Sequence, residues 1–199
     1  MNRVIDREAA RSVSLERITR ARLFETALRS DADVLVFGDI VDAMAARQVL
    51  LAADGGRLVL ATISAPTTPR AIERVLDLSA DGEEVWARAT LAASLRLVVG
   101  QRLLPAADRA RIHAAVELLP ASTELSTLVR EGRTREISEL QRRGRAVGMV
   151  RLDESLADLV RSQKVPVDVA KQFAESPADL EAQIAARIAA MPAVSVKRA

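Results

Sequence analysis

Val34-Leu35-Val36-Phe37 is a run of four large apolar residues that ends at Gly38-Asp39. A short apolar run closed by a glycine and an acid has the length of a buried strand, not of a helix. Asp42 then stands where a helix cap is needed for the alanine-rich stretch 43–53, which Asp54-Gly55-Gly56 closes. A second apolar run, 58–62, follows at once. Strand, helix and strand in so short a span form a βαβ unit, with parallel strands and a right-handed crossover. That unit sets the class as α/β. It also puts Asp39 at the carboxyl end of a strand, where open α/β sheets hold their ligands.

The flanking segments are read from period and punctuation. Upstream, Leu15, Ile18, Leu23, Ala27 and Leu28 predict a helix over 15–29 with Ser14 as its cap. Its arginines, Arg17, Arg20, Arg22 and Arg29, read as a solvated face or as a contact for an acidic partner. Downstream, Thr68-Pro69 opens a helix with Ile72, Val75 and Leu76 inward. Asp81 with Glu84 resembles a capping box for a helix carrying Val85, Trp86, Ala89, Ala92, Ala93 and Leu95. Runs 98–104 and 111–118 read as strands joined by a polar turn at 106–109. After Pro120 the pattern becomes helical throughout. Ser122 or Thr123 caps a helix with Leu125, Leu128 and Val129 on one face, stopped by Gly132. Thr134 starts another with Ile137 and Leu140. After a loop holding Gly144 and Gly148, Asp153 caps a third with Leu156, Leu159 and Val160. Pro166 and Ser176-Pro177 open two more, the last with Leu180, Ile184 and Ile188. The expected divisions are a lead-in over 1–30, an α/β core over 31–118, a helical part over 119–190 and a frayed tail over 191–199. No internal repeat or low-complexity linker is visible.

Composition removes several kinds of chemistry. The 199 residues include no cysteine, so disulfides, thiolate metal sites and cysteine nucleophiles are excluded. The single histidine, His113, has no second ligand and no serine–acid partner, and reads as structural. Trp86 reads as core or interface. No apolar run approaches the roughly 20 residues of a membrane helix, and Arg3, Asp6, Arg7 and Glu8 break any signal core. The expectation is a soluble, cytoplasmic protein with no direct membrane insertion. Aromatics are 2 % of the chain and the net charge is +2, which argues against a nucleic-acid partner. An acid behind an apolar strand also suits nucleoside-triphosphate chemistry, where it binds Mg²⁺ or orients water. That chemistry needs a phosphate cradle ending in Gly-Lys-Ser/Thr, and no glycine here is followed by lysine. From pattern alone Asp39 is either a strand-end turn residue or a functional acid.

The order of motifs resembles a known family. Residues 28–42, Leu-Arg-Ser-Asp-Ala-Asp through Gly38-Asp39-Ile40-Val41-Asp42, resemble the Walker-B region of the twitching-motility, or type IV pilus retraction, ATPases of the secretion-ATPase superfamily. The stretch 51–64 is similar to that family's histidine block. Residues 71–77 match its "TIDRIIDVFP" helix, and 93–105 resemble "ESLRGVISQQLLP". Leu125-Ser126-Thr127-Leu128-Val129-Arg130-Glu131-Gly132 resembles the "IRNLIREG" retraction motif, and 146–156 the "LGMQTMDQAL" segment. The resemblance runs collinearly over about 15–175.

It implies a RecA-like α/β sheet, partial and mostly parallel with a hairpin-like addition, followed by an all-helical C-terminal tail. It implies a catalytic position at Asp39, where the family has glutamate. Arg57, Thr62 and Ser64 stand as histidine-block remnants, with Arg57 and Ser64 in place of histidines. Leu125, Leu128, Val129, Arg130, Glu131 and Gly132 are the implied interaction residues, with Ser126 and Thr127 replacing Arg and Asn. The family's N-terminal domain and phosphate loop are expected upstream of this chain. ATP and Mg²⁺ are therefore expected only if a Walker-A-bearing half completes the site, and no cofactor is assigned to the chain alone. Three functions follow as expectations. The first is a degenerate relative that does not hydrolyse ATP alone and binds pilus-base or secretion-motor proteins, or a full-length ATPase ring, peripherally at the inner membrane. The second is the C-terminal fragment of an active retraction ATPase. The third, an Arg-rich nucleic-acid binder, is disfavoured.

Overall fold

The βαβ unit forms from the residues that predicted it. The computed structural model describes residues 17–189 except 109, with side chains described for 23–185. The expected Ser14 cap, Leu15, the side chains of Ile18 and Ile188, three of the helix arginines (Arg17, Arg20, Arg22) and the tail 191–199 lie outside the described residues. β1 (Val34–Asp39) and β2 (Leu58–Thr62) are parallel, with Val34 opposite Leu58 and Val36 opposite Leu60. Between them α2 (Ala43–Asp54) is capped by Asp42, whose carboxylate accepts from the Ala45 amide at 2.9 Å. Such a cap contributes about 1 kcal/mol. Leu35 and Phe37 face inward against Ala52, Val49 and α1 (Arg17–Arg29), from which Phe24 stacks on Phe37 at 4.7 Å. The inward stripe of α1 is Phe24, Ala27 and Leu28; Leu23, expected in it, is exposed. A ring stack outweighs one aliphatic contact in choosing the helix's rotation.

α3 (Thr68–Asp77) opens at Thr68 with Pro69 inside the first turn, as expected, and Thr67 caps it by accepting from the Arg70 amide. Two caps differ from expectation. α4 (Glu84–Ser94) has no capping box: Glu83 holds the cap position without a side-chain bond, and Glu84 instead accepts from the Gly82 amide at 3.2 Å. α7 (Leu152–Arg161) is not capped by Asp153. Asp153 is fully buried, and its two carboxylate oxygens accept the amides of Glu175 and Ser176 at 2.9 and 3.2 Å. A buried carboxylate needs such donors, and the loop ahead of α9 (Pro177–Ala189) supplies two.

β3 (Leu97–Pro105) and β4 (Ile112–Pro120) form an antiparallel hairpin that is a sheet of its own, separate from β1–β2. Helices α5 (Thr123–Glu131), α6 (Ile137–Arg143), α7, α8 (Val167–Phe173) and α9 follow. Thr134 begins a 3-10 turn that leads into α6. The chain divides into two compact units. One runs through Arg96 and resumes over Ala121–Ile137; the other comprises Leu97–Pro120 and the chain from Ser138. The hairpin, placed with the α/β core by the linear reading, thus groups with the C-terminal helices. Leu104 and Ala115 from its two strands share a core with Leu152, Leu156, Ala157, Val165, Ala170 and Leu180. Burial against these side chains, not sequence adjacency, assigns it there.

Candidate functional site at the carboxyl end of β1

Strand alternation by itself would bury Asp39. Leu35 and Phe37 point into the core, and two residues on, Asp39 would follow them. The register prevents this. Phe37 pairs with Ala61 and Asp39 with Thr62, so Gly38 is an extra residue with no partner, a β-bulge. The bulge turns Asp39 outward and sends Ile40 inward instead, its amide donating to the Thr62 carbonyl at 2.8 Å. Ile40 joins Ala45, Ala46, Val49, Ile63, Val75 and Leu78. A carboxylate is thereby kept in water and an isoleucine out of it, both favourable. A Cβ on Gly38 would meet nothing within 4 Å, so space does not require glycine there.

Asp39, Thr62 and Ser64 are all exposed at this end. The Asp39 carboxylate has no hydrogen bond or ion pair among the described residues. Arg57 is not with them. It precedes β2, at the opposite end of a five-residue strand, and that strand spans about 16 Å. Its guanidinium donates to the carbonyls of Leu28 (2.7 Å) and Ser30 (3.4 Å), at the end of α1. A cation on the last carbonyls of a helix satisfies orphan acceptors and complements the helix dipole. So the structure brings Asp39, Thr62 and Ser64 to one end and gives Arg57 a separate, structural task.

These residues do not by themselves make a Mg²⁺–nucleotide site. They offer one carboxylate and two hydroxyls, and the chain has no Gly-Lys pair to cradle phosphates. Among the described residues no group of three or more His, Asp or Glu is placed to hold a metal ion.

The second expected set lies on α5. Ser122 caps this helix, accepting from the Leu125 amide at 3.1 Å, and Gly132 closes it at φ +74°, a conformation that suits glycine. Leu125, Leu128 and Val129 are buried and belong to the core. The helix period that made them a stripe is the period of a packed face. Arg130, Glu131 and Gly132 remain exposed. Sequence reasoning missed Arg133. Its guanidinium bridges Glu131 at 2.9 Å and Glu136 at 2.7 Å, which hold it well above the usual arginine range. Next to it, Thr134 donates to Glu73 of α3 at 3.0 Å, and Glu73 also receives Arg70 at 2.7 Å. The i,i+3 spacing of Arg133 and Glu136 was the available signal. The turn after Gly132 is therefore pinned, while Arg130 projects from it with no ion pair among the described residues.

The fold is that of a RecA-like ATPase domain. Residues 8–195 match the family described as Type II/IV secretion system protein, and the chain belongs to that family. It is 31 % identical over 156 residues to a twitching motility protein of Neisseria gonorrhoeae, covering 78 % of this chain and 42 % of that one. It is 28 % identical over 167 residues to the type IV pilus retraction ATPase PilT of Pseudomonas aeruginosa, covering 84 % and 48 %. The crystal structure of the pilus retraction motor PilT with bound ADP superposes with a TM-score of 0.73 at 26 % identity, over 81 % of this chain and 45 % of that one. The chain is thus homologous to type IV pilus retraction ATPases, and it spans less than half the length of these curated relatives. Among the described residues no helix is long and apolar enough to cross a membrane.

Proposed function

We propose that this chain is a degenerate relative of the retraction ATPases that does not hydrolyse ATP alone and acts by binding within a pilus or secretion motor complex. The observation that carries this reading is the fate of Arg57. At one family histidine position the side chain is committed to the end of α1, about a strand's length from Asp39. Ser64 at the other position offers a hydroxyl where an imidazole would shuttle a proton. Asp39, one methylene shorter than glutamate, has to reach a water without help, and small misplacements in such sites are expensive. The expected partners are pilus-base or secretion-motor proteins, reached at the cytoplasmic side of the inner membrane, with Arg130 and Glu131 as contacts.

One observation favours the alternative of an active fragment. The Gly38 bulge presents Asp39 to solvent at the ligand-binding end of the strands. Phosphate release by the chain alone tests the first reading. The purified chain with Mg²⁺ and ATP should release phosphate at the background rate, unchanged by Asp39→Ala. Steady release that Asp39→Ala abolishes would overturn the proposal. Binding is read separately: a full-length retraction ATPase should retain the chain on a column, and Arg130→Ala with Glu131→Ala should weaken retention.

A further inference from the structure

We infer that the turn after α6 is a membrane-surface contact, in which Arg142, Arg143 and Arg145 take the phosphates of anionic lipid headgroups and Val147 rests at the edge of the acyl region. The inference deepens the placing of this chain at the inner membrane, and rests on it.

From Leu140 to Leu152 the chain holds four arginines and no acid. Arg142 and Arg143 end α6, Arg145 lies in the 3-10 turn Gly144–Val147, and all three are exposed. Several other arginines stand beside an acid: Arg47 with Glu83, Arg70 with Glu73, Arg111 with Asp108, Arg133 with Glu136 and Arg161 with Asp158. At this turn Arg142 meets Glu139 at 3.7 Å, a surface pair that contributes little. The Arg145 guanidinium has no hydrogen bond or ion pair among the described residues. Two cations in the last turn of α6 suit the helix dipole, but Arg145 lies past the helix and has no such duty. Beside it Val147 is 64 % exposed, apolar surface left in water.

The turn is fixed in this shape. A Cβ on Gly144 would overlap the Met149 thioether, so glycine is what lets that buried methionine fill the space under the turn. The Met149 amide donates to the Gly144 carbonyl and the Gly148 amide to that of Arg145, each at 3.1 Å. Val150 then exchanges two backbone bonds with Leu118 of β4, at 2.8 and 3.0 Å. The arginines are carried on a rigid mount, with little backbone freedom to lose on binding. A stable protein partner takes roughly 800 Å² from each side, more than one turn offers. A nucleic acid would stack its bases on aromatic rings, and residues 139–151 have none. A bilayer surface requires neither. Each cation feels the field of many headgroups, and an apolar side chain set among cations sinks to the headgroup boundary.

The full chain is spun down at low salt with vesicles of phosphatidylglycerol and phosphatidylcholine in equal parts. It should sediment with them and not with phosphatidylcholine alone, and added salt should release it. Arg142→Gln with Arg143→Gln and Arg145→Gln should lower the partition about a hundredfold. Arg142→Lys with Arg143→Lys and Arg145→Lys should retain it, since the lipid field acts on charge and not on the guanidinium fork. The chain has no cysteine, so a polarity-sensitive dye on Val147→Cys reports the tip alone. Its emission should rise on the anionic vesicles. The same dye on Ile112→Cys, 69 % exposed and about 20 Å along β4 from Leu118, should not respond. No sedimentation at low salt, equal sedimentation of the glutamine variant, loss in the lysine variant, or an equal dye response at both sites would each overturn the inference. So would capture on polyglutamate beads that needs the same three arginines and outlasts vesicle binding as salt rises, which would assign the turn to an acidic protein. None of these reads phosphate release or retention by a retraction ATPase, so a failure here is distinct from a failure of the proposed function.

Discussion

Arg57 donates to Leu28 and Ser30 from the foot of β2, so it caps the end of α1. Arg57→Ala should therefore destabilise the chain by about 1–2 kcal/mol, the scale of a charge-assisted bond to a half-buried carbonyl. Thermal unfolding checks this, with phosphate release unaffected. The α5 residues divide in the same way. Leu128 is 6 % exposed and Arg130 stands free in solvent. Leu128→Asp buries an unpaired charge and should lower stability by about 3–5 kcal/mol, with loss of helical circular dichroism. Arg130→Ala should leave stability within about 0.5 kcal/mol, so only the second variant tests binding.

At the scale of elements, the loop between α8 and α9 is held by charge. Arg151 bridges Asp153 at 3.9 Å and Glu175 at 3.5 Å, while Glu117 is buried nearby and takes a bond from Gln141 at 3.0 Å. Burial, and then the carboxylates of Glu117 and Asp153, raise the Glu175 pKa above its ordinary value; Arg151 opposes them. A raised carboxyl pKa means that the folded state holds this proton more tightly than the unfolded one. The associated stability is present below the unfolded value and lost as pH rises through the folded one. Glu175→Gln should therefore raise the thermal midpoint at pH 7.5 by about 1–3 °C. That gain should shrink toward nothing near pH 4. A gain that is instead largest in acid would show that the charge is welcome where it sits.

At the scale of the molecule, one of the two compact units builds its core across a gap in sequence. Leu156, fully buried in α7, packs with Leu104 of β3 and Ala115 of β4. Leu156→Ala should cost about 2–5 kcal/mol of local stability. Hydrogen exchange should then quicken in β3, β4 and α7 to α9 together, and not in β1 and α2. Uniform quickening along the whole chain would mean that the units do not unfold separately.

Much of this was legible without a structure. The caps at Asp42 and Ser122 and the stop at Gly132 depend on residues within about four positions of one another, and each element of the βαβ unit is read from its own short run. The motif order carried the family. What the sequence did not show lies in contacts between distant residues. The Arg57–Leu28 bond spans 29 positions and the Asp153–Glu175 bond 22. The Gly38 bulge follows from pairing with β2, and the burial of Leu125, Leu128 and Val129 from packing. A hydrophobic stripe states that a face will be covered, not by what. So the sequence by itself determined the elements and the lineage. The tertiary structure decided which motif residues became core, which became braces, and which, like Asp39 and Arg130, were left facing water.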